Sequence, residues 1–367
     1  MKVSIGSRVV EGPWGGGNLF VKNLSSYLIT AGHKVIYDLS EPDIDLIVLT
    51  DPRSRKESTS TYNHDEIKQY KKYVKDDTVV VQRINECDER KGTSNINDFY
   101  LKASNVADHV IFVSSWLQDI YLNLGMSPNK TSVILSGSDA KIFNPEGSAR
   151  AGSEKKVKLL THHWSSNRNK GFDTYELINK LIDTPKWKEK LEFTYIGNTD
   201  KDYKLHNTKL IEPLAGKDLS SEIKNHHVYV TASINEPSGN HHIEAAQCGL
   251  PILYIESGGI PEYCNGFGLG FTDDFEEKLE KIINEYDSYK LNMKNYPFNS
   301  DIMCKEYLDL FYVLLNSKDS SKGNKNYISK YVYLTKQKIV KTLRDHLYFK
   351  TKHIISSILR GLIKKNG

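Results

Sequence analysis

At 367 residues the chain exceeds the size at which one hydrophobic core usually stops growing, so two domains are expected, each large enough for its own core. A content of 38% hydrophobic and 26% charged residues is that of a soluble globular protein and excludes a disordered chain, and no window reaches the roughly 18 uninterrupted apolar residues of a spanning helix. The net charge of +4 conceals an asymmetry: residues 322–367 carry twelve Lys/Arg against Asp345 alone, a net +11, which leaves −7 on the remainder.

Residues 1 to about 145 alternate short apolar runs with longer polar, helix-like ones, the pattern of β-α-β units and a parallel sheet. Strands are predicted at Lys2–Ile5, Val35–Tyr37, Leu46–Leu49, Val79–Val81, Val110–Val113 and Ser132–Leu135. The first helix is predicted over Asn18–Ala31, with Leu19, Phe20, Leu24, Tyr27 and Leu28 on one face and Gly32 as its stop. Glu146 to Glu154, rich in Gly, Ser and Ala, reads as a linker. A second alternating series predicts strands at Val157–Leu160, Phe193–Ile196, Lys209–Ile211, Val228–Val230, Ile252–Tyr254 and Gly268–Phe271. Its helices are expected near Phe172–Ile182, Leu219–Lys224, His241–Cys248 and Glu276–Tyr286, and a further one over Ser300–Leu315.

The segment Glu236-Pro-Ser-Gly-Asn-His-His-Ile-Glu244-Ala-Ala-Gln-Cys-Gly-Leu-Pro251 places two carboxylates across a strand-loop-helix junction. Asn240 is the expected N-cap, so the free amides around Gly239, Asn240, His241 and His242 would form a positive helix end suited to a phosphate. One glutamate can accept hydrogen bonds from sugar hydroxyls while the other grips the two hydroxyls of a ribose, which outlines a nucleotide-sugar site. Near the N-terminus, Gly12-Pro-Trp-Gly15-Gly16-Gly17-Asn18 lies between the first strand and the first helix, where successive glycines let amides approach an anion. It is neither a Walker A loop nor a G-x-G-x-x-G fingerprint.

The seven residues between Glu236 and Glu244, followed by Ala-Ala-Gln-Cys-Gly-Leu-Pro-Ile and Gly258-Gly259-Ile-Pro-Glu262, resemble the E-x7-E signature of retaining family-4 glycosyltransferases. The resemblance covers about residues 1 to 316 and implies the GT-B fold, an α/β architecture of two Rossmann-like domains facing a cleft. It implies an acceptor-side domain at 1–148, a donor domain at 149–299, a helix at 300–316 crossing back to the first domain, and a basic amphipathic tail at 317–367. The donor would be a nucleoside-diphosphate sugar and the acceptor a hydroxyl of a glycan, lipid-linked or protein-linked saccharide, with no cofactor and no metal.

Residue by residue, the resemblance implies that Glu236 orients the donor sugar, Glu244 the ribose, and Gly239, Asn240, His241, His242, Gly15, Gly16 and Gly17 the diphosphate. Lys170-Gly171 matches the end of the family's G-R-L-x-x-x-K-G element, whose two cations neutralise the diphosphate. The usual arginine position holds Ser165, and Arg168 is the candidate substitute. Ser132-Val-Ile-Leu-Ser-Gly-Ser-Asp139 through Phe143-Asn-Pro145 resembles the family's V-I-x-N-G-V-D-x-x-x-F-x-P segment, where Asp139 and Phe143 are expected to be structural at the interdomain hinge. Val81 to Arg90 occupies the place where many members carry an acceptor-facing histidine; here Arg83, Asn85, Asp88 and Arg90 offer polar groups instead. The altered arginine and missing histidine also fit a protein that binds a nucleotide sugar without transferring it.

Cys87, Cys248, Cys264 and Cys304 are widely scattered and form no C-x-x-C pair, which argues against a zinc site or a disulfide framework and suits a reducing, cytoplasmic setting. The first residues show no long apolar region, so no signal peptide is expected. In the tail, Ile339, Val340, Leu343, Leu347, Ile354, Ile355, Ile358, Leu359, Leu362 and Ile363 stand at helical spacings among lysines. That pattern predicts a peripheral contact with an anionic membrane through residues 322–367, while packing on the body or a contact between copies uses the same pattern. No aromatic-basic module supports a nucleic-acid partner.

Overall fold

The computed structural model describes residues 1–10, 15–53, 59–149, 155–199, 202–317 and 328–343. The first half contains β1 (Lys2–Ile5), α1 (Gly16–Thr30), β2 (Lys34–Ile36), β3 (Leu46–Leu49), α2 (His64–Tyr73), β4 (Val79–Ile84), α3 (Asp88–Lys91), α4 (Ile96–Ala103), β5 (His109–Phe112), α5 (Ser115–Asn123) and β6 (Thr131–Val133). The second contains β7 (Val157–His163), α6 (Phe172–Ile182), β8 (Leu191–Gly197), β9 (Thr208–Ile211), α7 (Gly216–Lys224), β10 (Val228–Thr231), α8 (Asn240–Gln247), β11 (Ile252–Ile255), α9 (Ile260–Cys264), β12 (Gly268–Phe271), α10 (Phe275–Asn284) and α11 (Tyr286–Asn292). Last come α12 (Ser300–Asn316) and a tail helix at residues 328–343.

Each half is one all-parallel sheet, ordered β2-β1-β3-β4-β5-β6 and β12-β11-β10-β7-β8-β9. Helices cover both faces, which is why β3 (Leu-Ile-Val-Leu) is apolar throughout rather than alternating. Helices α2, α4 and α5 fall in segments whose sequence pattern is only generally helix-like. Local capping starts α2: Asn63 accepts from the amides of Asp65 and Glu66, and Glu66 returns a bond to Asn63. The single helix expected over Glu276–Tyr286 is two, α10 and α11, meeting at Glu285.

The N-terminal core is finished by residues from the far end of the chain. Met303, Cys304, Tyr307 and Phe311 of α12 pack with Phe20, Leu24 and Leu28 of α1 against Val3 and Ile5. On the other face Tyr333 of the tail helix joins the cluster of Tyr62, Ile67, Tyr70 and Val74. The tail helix is anchored there by the Tyr333 hydroxyl donating to the Glu66 carbonyl (3.2 Å) and by Lys341 on Asp38 (2.9 Å). Among the alternatives for the tail, its described part therefore packs on the body. Residues 318–327 and 344–367 lie outside the described residues, as do Gly12 to Trp14 of the glycine segment and most of the linker. Among the described residues no helix is long and apolar enough to cross a membrane.

The chain crosses between the halves twice at one place. Ser138 bridges Asn299, the Ser300 amide donates to the Ser138 carbonyl (2.8 Å), and Phe143 is buried in the second half. A Cβ on Gly137 would lie 2.1 Å from the Asn299 carbonyl oxygen, so the two crossing segments touch only because residue 137 is glycine. Gly137→Ala is expected to cost at least about 1–3 kcal/mol through forced separation of these backbones. Urea unfolding of the variant beside the parent chain measures it, and equal stability would place the crossing elsewhere.

Candidate active site

In each sheet the strand order reverses at one place, between β1 and β3 and between β7 and β10. Open parallel sheets bind ligands outside the carboxyl ends of strands at such switch points. The loops leaving those ends carry Gly15 after β1, Lys170 after β7, and Glu236 to Asn240 after β10.

The Glu236 loop is held in an unusual conformation. Asn235 has φ 52°, and it is the one non-glycine residue with positive φ among the described residues. Its amide donates to Ser257 Oγ (3.0 Å), and the Gly259 amide donates to the Glu236 carbonyl (2.9 Å). Cβ atoms on Gly258 and Gly259 would lie 2.7 Å from Glu236 N and 2.4 Å from the Pro237 carbonyl oxygen. The Gly258-Gly259 pair is thus the backing that lets this loop lie flat on β11's exit.

Glu236 is 5% exposed. One carboxylate oxygen, Oε2, accepts from Lys170 Nζ; the other, Oε1, lies 3.1 Å from Arg90 Nε of the opposite domain. Burial alone would push this carboxyl up, but Lys170 and then Arg90 outweigh it and hold it at about 2. Arg90 in turn donates from Nη1 to both oxygens of Glu86 (2.9 and 3.1 Å), which Lys91 also contacts (2.9 Å).

Helix α8 starts one residue earlier in the loop than expected. Gly239 (φ 84°, ψ 94°) is the N-cap, and Asn240 is the first helical residue. A side chain at 239 would meet the His241 and His242 rings at 2.7 and 2.8 Å, so only glycine can make the turn, and Asn240 is displaced into the helix. Likewise Gly15 is the N-cap of α1, and Gly16 and Gly17 form its first turn. Asn240 then abuts Gly16: a Cβ there would lie 2.9 Å from Asn240 Oδ1. Two helix N-termini, each with unsatisfied amides, meet across the cleft.

Glu244, one turn into α8, is buried, and its Oε2 lies 3.0 Å from His162 Nε2. His162 Nδ1 meets the Tyr229 hydroxyl (3.2 Å), His163 Nε2 the Tyr175 hydroxyl (2.6 Å), and His241 Nε2 the Thr231 hydroxyl (2.9 Å). Both ring nitrogens of His242 are buried without a hydrogen-bond partner. The rings of His163, His241 and His242 stack edgewise, with successive centroids 4.6 and 4.9 Å apart. Burial depresses all three, His163 and His241 far below the ordinary range and His242 to about 3 despite the nearby Glu236. They are neutral imidazoles. Among the described residues no group of three or more His, Cys, Asp or Glu is arranged to hold a metal ion.

Other candidates lie away from this centre. Arg168 pairs with Asp173 on the surface, its side chain 66% exposed, because the 3₁₀ turn Arg168–Lys170 turns only Lys170 inward. Ser165 is also exposed. Arg83 is buried with its guanidinium 4.2 Å from the Phe20 ring centre, inside the first domain. Asp88 accepts the amides of Asn95, Ile96 and Asn97 (3.0, 2.9 and 3.0 Å) and so ties α3 to α4. Asn85 is half-buried just beyond β4. Of that polar segment it is Arg90 that reaches Glu236. Sequence reasoning also missed His162 as the partner of Glu244, and Glu262, which accepts the first amides of α5 at Ser115 (2.8 Å) and Trp116 (2.9 Å) across the cleft. Only tertiary proximity identifies these pairs.

Two parallel Rossmann-like sheets facing a cleft, with helix N-termini and a carboxylate-cation centre between them, define the GT-B class. Residues 148–296 match the family described as Glycosyl transferases group 1. The phosphatidylinositol N-acetylglucosaminyltransferase gpi3 subunit of Schizosaccharomyces pombe is 23% identical over 204 residues, 52% of this chain and 44% of that protein, so the match spans under half the length of this relative. Sucrose-phosphate synthase from Thermosynechococcus elongatus has a similar fold, with a TM-score of 0.63 at 16% identity over 86% of this chain and 100% of that one. Anabaena HepE in complex with UDP and glucose gives 0.58 at 16% identity over 85% and 99%.

The neutral histidines make stability sensitive to acid. Unfolded, each would bind a proton below about pH 6.5, whereas folded it does not, so the unfolded state takes up protons and stability falls as pH drops from about 6 to 4. His242→Leu removes one such proton and forfeits no hydrogen bond. Urea unfolding at several pH values should give a slope of stability against pH shallower by up to about 1.4 kcal/mol per unit over that range. An unchanged slope would mean that His242 is protonated in the fold.

Proposed function

We propose that the protein is a retaining glycosyltransferase that moves a sugar from a nucleoside-diphosphate donor to a hydroxyl of a glycan, lipid-linked or protein-linked saccharide, without metal or cofactor. The observation that carries this reading is the meeting of Gly16 and Asn240, which brings two helix N-termini together beside Lys170 and Glu236. That is a diphosphate cradle with a carboxylate at its edge. Glu244, next to His162, grips the ribose, and Lys170 takes up charge on the departing diphosphate.

Glu236 has the character of a fixed anion. Held at about 2, it has no proton to donate near neutrality, and two cations on its oxygens blunt it as a nucleophile. Its role is to accept hydrogen bonds from the donor sugar and to stabilise positive charge near the anomeric carbon. Transfer then proceeds on one face of the sugar: the bond from the anomeric carbon to the phosphate oxygen breaks, the bond to the acceptor oxygen forms, and the acceptor proton passes to the departing phosphate oxygen.

The reading extends to a membrane. On the tail helix Ile328, Tyr331, Val332, Ile339 and Leu343 are exposed on the side away from Tyr333, with Lys336 among them. Together with the +11 of residues 322–367, this face suits an anionic bilayer at which a lipid-linked acceptor would be met, in a reducing, cytoplasmic setting.

A thermal-shift screen with UDP-, GDP-, ADP- and dTDP-sugars should raise the midpoint for one donor class. With that donor, Glu236→Gln is expected to lower kcat by about 10²–10³-fold, and Glu244→Ala to raise the donor KM at least about tenfold. Binding without any turnover would favour the sugar-nucleotide-binding reading, and wild-type kinetics in both variants would refute the site. Val332→Asp with Ile339→Asp should abolish flotation with vesicles containing anionic lipid and leave the melting midpoint unchanged. Equal flotation with neutral vesicles, or none, would sink the membrane reading.

A further inference from the structure

The donor domain supplies fewer cations than the resemblance of its loop to the family's two-cation element implies. Ser165 occupies the place of the second cation and is exposed, and Arg168 is committed to Asp173 at the surface. Lys170 alone reaches the centre from that loop, and it engages one oxygen of Glu236. The other oxygen is met by Arg90, which stands on the opposite domain.

Arg90 is built into its place. Its guanidinium is fixed by both oxygens of the buried Glu86 carboxylate, and the backbone of Glu86 is pinned by the Tyr121 hydroxyl (3.0 Å). Beside it the Glu89 carbonyl accepts from Asn235 Nδ2 (3.1 Å), the side chain of the residue whose φ of 52° sets the Glu236 loop. Adjacent residues of α3 thus grip adjacent residues of the donor loop, one through charge and one through backbone. We propose that Arg90 is a positioning residue for the transfer step: when the domains close it fixes Glu236 in register with Lys170, so the donor site is completed by the acceptor-side domain. This rests on the glycosyltransferase reading above.

A cation on each oxygen leaves the carboxylate one orientation, whereas Lys170 alone would let it swing about its χ3 axis. Loss of that alignment affects the step in which charge develops and leaves the ribose and diphosphate contacts intact. The test compares Arg90→Gln, Arg90→Lys, Glu86→Gln and Glu236→Gln in the full chain, reading kcat, donor KM, the acid limb of kcat/KM and the melting midpoint. Arg90→Gln should lose about 10²-fold in kcat with donor KM within about threefold. Its acid limb should move upward, because Glu236 has lost one of the cations that keep it ionised. Arg90→Lys should recover part of the rate, and Glu86→Gln, which loosens Arg90 without removing it, should give a smaller loss in the same direction. A purely structural role would lower the midpoint without moving the acid limb, and that result overturns the proposal. Wild-type kcat and acid limb in Arg90→Gln, with Glu236→Gln inactive, overturn it while leaving the glycosyltransferase reading intact; normal turnover in Glu236→Gln overturns both.

Discussion

A carboxylate buried as deeply as Glu236 stays ionised only while cations remain in contact with it, and here one cation comes from each domain. The ionised carboxylate is therefore stabilised from both sides of the cleft. The other cross-cleft contacts are consistent with this dependence. Glu262 supplies the N-terminal anion that α5 lacks, and the Tyr263 hydroxyl donates to the Val113 carbonyl while accepting the Ser136 amide (2.9 Å). The Tyr263 pair lies among buried atoms, and Leu135 and Phe143 add apolar contacts to the second half's core. The centre between the halves needs both of them.

Behind α8 the donor domain keeps a buried group of imidazoles neutral. Because burial holds His163, His241 and His242 well below the ordinary range, the positive groups named at the cleft are helix amides, Lys170 and Arg90 rather than these imidazoles. The histidines pack as polar aromatics, with Thr231 and Tyr175 satisfying two of them. Their residue type alone suggests metal chemistry or general bases; their surroundings instead make them walls.

Much of this was legible along the chain because it is local. The strands follow from apolar runs, and the position of the Glu236-Glu244 segment follows from a strand, a glycine turn and a helix in immediate succession. Gly258-Gly259 is equally local, and its purpose became visible once the Glu236 backbone was seen pressed against it. What was not legible is what depends on distant pairing. Arg90, Glu86 and Glu262 are ordinary surface-type residues in sequence, and their roles arise from a contact between two domains. Arg168 looked like the missing cation because it is near Lys170 in sequence, yet a single 3₁₀ turn sends the two side chains opposite ways. Asn240 looked like a cap for its residue type, and the crowding of His241 and His242 against position 239 decided otherwise.

The first sheet is closed on one face by Tyr307 and Phe311 and on the other by Tyr333, all of which lie beyond the entire second domain in the chain. During synthesis the leading half cannot finish its core until about 185 later residues, through Tyr333, have emerged. The half made first is the half completed last, which reverses the usual order in which domains mature on the ribosome. Until then the apolar faces of α1 and β1 that α12 covers in the finished fold lack that cover.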